Sequence, residues 1–220
     1  MKKILQTPSK KVDLNYDFSP IFLNQKPYIA YIGDNYQKMD IQIDSAQKQG
    51  NKEYFIKGKT KVKNNECDFE GILKINDIYQ WDELELGEDG MYKDTIKNQG
   101  SLKGNYTFNE NPKRKGCGVF KGEFVSVWYQ DYDNNIVYFD LGVSDSSSNN
   151  LFLGTWEEYE TENKKVAAWG QLRVPDPKEE LDTGAGEFSV NCKYIKNGWK
   201  DTEFHKKECD KSNWFNLYLQ

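Results

Sequence analysis

The chain has 220 residues, a formal net charge of -5, and 28 lysines against only two arginines, Arg114 and Arg173. That balance excludes a chain built to track a phosphate backbone, so no nucleic-acid partner is expected. No apolar run approaches bilayer length, which excludes insertion by a membrane helix.

Aromatic residues reach 15% and alanine is scarce, which favours sheet over helix. Residues 1–26 contain Pro8 and Pro20 and hold no sustained period, so they read as an extended N-terminal arm. A single all-β domain over 27–220 is expected to follow. Met1-Lys-Lys-Ile4-Leu5 has the lysines of a signal n-region, but its apolar stretch is too short for an h-region. As written the chain is expected in the cytoplasm, and in the periplasm or outside the cell only where a signal has been removed.

From Tyr28 the chain reads as short strands separated by turn chemistry. Tyr28–Ile32 is apolar, and Met39–Ile43 alternates. Tyr54–Val62 and Cys67–Ile75 flank a hairpin loop at 63–66, and Tyr79–Leu86 is a further strand. A polar loop spans Gly87–Gly100. Leu102–Phe108 and Gly118–Tyr129 follow, and Asp131–Asn135 forms a turn into Ile136–Val143. Ser144–Asn150 is a loop; Leu151–Tyr159 and Val166–Val174 are the next strands, and Phe188–Ile195 and Trp214–Leu219 are the last. About a dozen short strands without a helix predict one antiparallel β-barrel, or a strongly curved β-sandwich.

Four strands share one device. Phe69-Glu-Gly71-Ile-Leu73, Leu102-Lys-Gly104-Asn-Tyr106, Phe120-Lys-Gly122-Glu-Phe124 and Phe152-Leu-Gly154-Thr-Trp156 each set a glycine between two large residues. In a strand those three positions share a face. A glycine there lets the strand bend or lets another backbone come close. These strands are expected to form the inner face.

The other motifs are weak. Leu181-Asp182-Thr183-Gly184-Ala185 matches an aspartic-protease signature locally, yet lacks the apolar strand before it, so it reads as a glycine-rich turn. Asp131-x-Asp133-x-Asn135 starts like a calcium loop but has Ile136 and Gly142 where that loop needs glycine and glutamate. His205 is the sole histidine, in a polar stretch, so no multi-histidine metal site is expected. No phosphate loop occurs, and no cofactor is expected. Of the four cysteines, Cys192 and Cys209 bracket a polar stretch and are the first candidates for a disulfide, with four free thiols as the alternative.

The segments Phe152-Leu-Gly154-Thr155-Trp156, Trp169-Gly170 with Arg173-Val174-Pro175, and Gly184-Ala-Gly186-Glu-Phe188 together resemble a group of small all-β bacterial proteins without an assigned activity. The resemblance is scattered over most of the chain and implies a fold and little more. Gly154-Thr-Trp156 also resembles the G-x-W of lipocalins, which implies a barrel of that general kind.

Three functions are expected in descending order. The first is a non-catalytic binding module holding a small apolar ligand or glycan in the barrel mouth, on Trp128, Trp156, Tyr159 and Trp169. The second is an interaction module, of inhibitor or immunity type, whose acidic surface meets a basic protein. The third is a hydrolase working through paired carboxylates. A monomer is expected in each case.

Overall fold

The computed structural model describes residues 1–24, 26–140, 147–204 and 209. Among them ten strands form one sheet. They are β1 (Ser9–Val12), β2 (Ile29–Ile32), β3 (Gln37–Lys48), β4 (Glu53–Val62), β5 (Asn65–Trp81), β6 (Asn98–Glu110), β7 (Gly118–Gln130), β8 (Ile136–Tyr138), β9 (Asn149–Glu158) and β10 (Lys164–Gln171). The order β5-β4-β3-β2-β10-β9-β7-β6 closes through pairing of β6 with β5, giving an eight-stranded antiparallel barrel. β1 pairs with Ile78–Trp81 of β5 and β8 with Trp128–Gln130 of β7, so β5, β6 and β7 run on past the barrel as an apron.

The glycine device turns inward as its parity requires. Gly104 pairs with Phe124 across β6 and β7, and a Cβ on Gly104 would stand 2.5 Å from the Phe124 ring and 2.0 Å from the Lys74 carbonyl. Gly122 and Gly154 face each other across β7 and β9, leaving a notch that the Tyr106 hydroxyl enters. The absent side chains admit rings from neighbouring strands. Phe22, Phe124, Phe152, Trp169, Phe120 and Trp156 then form a column of successive ring contacts between 4.9 and 6.5 Å. The barrel interior is therefore filled by side chains.

The N-terminal arm is not simply extended. It contributes helix α1 (Lys2–Leu5), β1, and helix α2 (Ser19–Phe22), and α2 buries Ile21 and Phe22 in the barrel core. The entry is local chemistry: Asp17 accepts from the Ser19 N–H at 2.9 Å and from its hydroxyl at 2.6 Å, and Pro20 presets the first helical turn. Asn24, Asn150 and Gln171 hold the segment, with both asparagine amides donating to the Ile21 carbonyl at 2.8 Å.

The C-terminal region differs most from expectation. The segment expected as the strand Phe188–Ile195 makes only the isolated bridge Asp182–Val190, then a 3-10 turn at Cys192–Asn197 that Asn191 caps. Its apolar residues serve a different partner: Leu181, Phe188, Val190, Tyr194 and Trp199 pack on Ile29, Tyr31 and Ala168, the outer face of β2 and β10. Asp182 pairs with Arg173 and accepts from the Gly184 and Ser189 amides at 2.9 and 3.1 Å, so the glycine-rich segment is a clamped turn. Cys192 is bonded to Cys209, and Cys67 to Cys117.

Other departures are smaller. The strand expected at 67–75 runs on into the start of the one expected at 79–86 and ends at Trp81, because a bulge between Ile75 and Asp77 absorbs the polar Asn76-Asp77 step. The segment Trp214–Leu219, His205 and Gly142 lie outside the described residues.

Phe22 caps the aromatic column while its neighbour Leu23 is exposed. Phe22→Ala is expected to lower stability by about 3–5 kcal/mol, and Leu23→Ala by less than about 0.5 kcal/mol. Urea unfolding of the two variants measures the contrast, and equal effects would place α2 outside the core.

Candidate functional site

In an antiparallel barrel, hairpin turns collect at the ends. The β2–β3, β4–β5, β6–β7 and β9–β10 connections all meet at the end opposite α2. They frame a mouth of about 670 Å³, lined by Ile32, Asp34, Asn35, Thr60, Val62, Lys63, Asn65, Cys67, Glu110, Phe120, Trp156, Glu158 and Lys165 among others. Its floor is buried: Thr60, Cys67, Glu110, Phe120 and Trp156 are all under 9% exposed. Its rim is polar, with Asp34, Asn35, Lys63 and Lys165 exposed.

Glu110 organises the floor. It is the last residue of β6 and continues the inward parity of Leu102, Gly104, Tyr106 and Phe108. Its Oε2 accepts from the Trp156 indole N–H and the Gly118 amide, each at 2.8 Å. Its Oε1 accepts from the Thr60 hydroxyl. Its backbone carbonyl accepts from the Tyr159 hydroxyl at 3.0 Å. Burial pushes the Glu110 carboxyl above its ordinary pKa, against the lowering effect of the three donors.

Trp156 is thereby fixed in orientation. On the mouth side Lys165 lies over its ring, Nζ 5.1 Å from the centroid. Lys165 is itself exposed, so the indole is covered by a side chain free to swing away. The Cys67–Cys117 disulfide ties the start of β5 to the residue before β7 beside this floor. Closing that span is worth about 4 kcal/mol in chain entropy. Around the rim, Gln37 donates to the Asn197 carbonyl at 2.8 Å and Asn65 to the Gly116 carbonyl at 2.8 Å.

The four residues expected to bind ligand are not brought together. Trp156 lies in the floor, whereas Tyr159, 39% exposed, lines a separate groove with Thr155, Glu157 and Glu162. Trp169 is buried deeper, stacked on Phe152 at 4.9 Å. Trp128 lies ten residues along β7 from Gly118, ~33 Å at strand rise, packed on Phe18 of the arm. Thr60, Glu110 and Lys165 were not expected there. For Glu110 a signal existed, since a carboxylate at an inward position of an aromatic strand must find donors. Nothing in the sequence marks Lys165 over the other lysines.

The turn at 131–135 is closed by its own side chains: Asp131 accepts from the Asn135 amide at 2.8 Å and its side-chain N–H at 2.9 Å. Among the described residues no helix is long and apolar enough to cross a membrane. No protein-family model, curated protein or solved structure matches this chain.

Glu110→Gln keeps an acceptor for Trp156 and Gly118 and turns a donor to the Thr60 hydroxyl. Because the folded chain holds the Glu110 proton to higher pH than the unfolded chain does, Glu110 costs stability as pH rises past about 4.3. The glutamine variant should therefore match wild type near pH 3 and exceed it near neutral pH, whereas Glu110→Ala should lose about 2–5 kcal/mol. Urea midpoints across that pH range decide it; parallel curves for wild type and Glu110→Gln would mean an ordinary carboxyl.

Proposed function

We propose that the protein is a non-catalytic binding module whose ligand sits in the barrel mouth, and that the ligand is a neutral, hydroxyl-rich molecule of the glycan class. One observation supports this most: a single indole, immobilised by a buried carboxylate, forms the floor of a mouth whose rim offers amide, carboxylate and ammonium groups. An aromatic face below and planar polar groups around it match a sugar ring, which is apolar on its faces and hydroxylated at its edge. A purely apolar ligand fits less well, because the interior that would receive it is occupied by Phe120, Phe152 and Trp169.

A second reading has its own support. The β9–β10 hairpin carries Glu157, Glu158, Glu160 and Glu162 at the rim, a surface suited to a basic protein. A hydrolase would need a second carboxyl group facing Glu110, and the partners of that side chain are a hydroxyl, an indole and an amide.

Titrating a panel of neutral oligosaccharides by calorimetry and tryptophan fluorescence tests the first reading. Displacing the lysine cover costs about 0.5–1 kcal/mol, so Lys165→Ala should tighten binding about two- to five-fold, and Trp156→Phe should weaken it about ten-fold or more. Binding indifferent to both substitutions would reject the mouth as the site. Salt-sensitive association with basic proteins, without glycan binding, would favour the second reading.

A further inference from the structure

We propose that the protein, when its Cys67–Cys117 disulfide is reduced, holds a divalent metal ion of the zinc class between Cys67, Cys117 and Glu110. One donor atom from each residue lies within 4.8 Å of the other two, and all three residues are buried. The two sulfurs are bonded to each other in the oxidised chain, with the Cα atoms 6.2 Å apart. Once reduced they must separate to the about 3.8 Å at which zinc holds two thiolates, which rotation of the two side chains about fixed Cα atoms allows. Two thiolates and one carboxylate suit zinc or cobalt, and they disfavour calcium and magnesium, which take oxygen ligands.

Glu110 supplies the second, independent observation. A buried carboxylate ordinarily finds a cation. None of the ion pairs among the described residues includes Glu110. Its two oxygens accept three hydrogen bonds, and a carboxylate has about four lone-pair sites. One site therefore remains for a metal. Those hydrogen bonds would also orient it as a ligand, as outer-shell donors do in metal centres. Cys67 and Glu110 both line the mouth, so an ion has a path in, and water can take the fourth tetrahedral position.

The chemistry balances with a dithiol as reductant. The Cys67–Cys117 bond breaks and the two cysteines take up two electrons and two protons. The dithiol gives them up and closes to its own disulfide. Metal binding then releases the two thiol protons, together with the Glu110 proton where it is held. The oxidised protein has no thiolate to offer, so the disulfide and the metal are alternative states of one site.

The test is cobalt binding. The whole chain is reduced with a dithiol, freed of it under argon, and titrated with cobalt(II). Thiolate-to-cobalt charge transfer and tetrahedral d–d bands are expected at one ion per chain, and both should be displaced by zinc. The pair Cys192→Ser with Cys209→Ser should keep the bands. The pair Cys67→Ser with Cys117→Ser should lose them, and Glu110→Gln should weaken binding at least about ten-fold. Near-UV circular dichroism follows the aromatic core in parallel. If reduction unfolds the chain, recovery of that signal by zinc supports the site and failure to recover overturns it. Absence of the bands, their survival without Cys67 and Cys117, or unchanged affinity in Glu110→Gln would also overturn it.

Discussion

Contact between aromatic rings, stacked and edge-on, is the constraint that the rest of the structure obeys. Six aromatic side chains from α2, β7, β9 and β10 touch in sequence from Phe22 to Trp156. A ring buries roughly 150–250 Å², which at about 25 cal/mol per Å² is ~4–6 kcal/mol each. So wide a filling fits an eight-stranded barrel only if neighbouring strands yield space. Gly104, Gly122 and Gly154 yield it, and their bare backbones let carbonyls of the adjacent strand approach closely enough to coil the sheet shut. Closure and filling are thus one event: the rings need the glycines, and the glycines without the rings would leave a void.

The same magnitudes explain where polar groups go unpartnered. The Trp169 and Trp128 indole N–H groups and the Tyr106 hydroxyl are buried without a hydrogen-bond partner. Each such loss is worth about 1–3 kcal/mol, less than the burial of the ring that carries it. Inside the column packing therefore wins. At the ends it does not have to. Asn24 and Asn150, both bonded to Gln171, satisfy the α2 carbonyl at one end, and Glu110 satisfies the Trp156 N–H at the other. Polar chemistry collects where the column stops, and a site can form only there.

Much of this was legible in the sequence, because it rests on period-two alternation. The aromatic-glycine strands announce both their inner face and their curvature, and the Asp131 turn announces itself by residue type. The segment after β10 was illegible for a physical reason. Phe188, Val190 and Tyr194 alternate as in a strand, but here they cover an outer face already formed by β2 and β10. Alternation reports which side is buried, not whether the backbone finds a ladder partner. The arm failed similarly, since Pro20 and Asp17 look like extended-chain residues until the barrel end they enter is known. Tryptophan was a poor guide to the site: Trp128 and Trp169 are there to fill space, and of the five tryptophans among the described residues only Trp156 lies among the lining residues of the mouth.

The mouth divides into two parts that obey different rules. Its floor is held by buried hydrogen bonds and a disulfide, so Trp156, Glu110 and Thr60 are set before any ligand arrives. Preorganisation of that kind removes ordering costs from binding. Its rim is built on four hairpin turns, on which Asp34, Asn35, Lys63 and Lys165 are exposed. Changing Lys63 or Asp34 alters charge and shape at the entrance without touching a ring contact, and changing Lys165 uncovers the Trp156 ring. Changing the floor alters the last link of the aromatic column. On the proposed binding role, selectivity for one ligand over another therefore has room to vary at the rim, while the capacity to bind at all is bound up with the stability of the barrel itself.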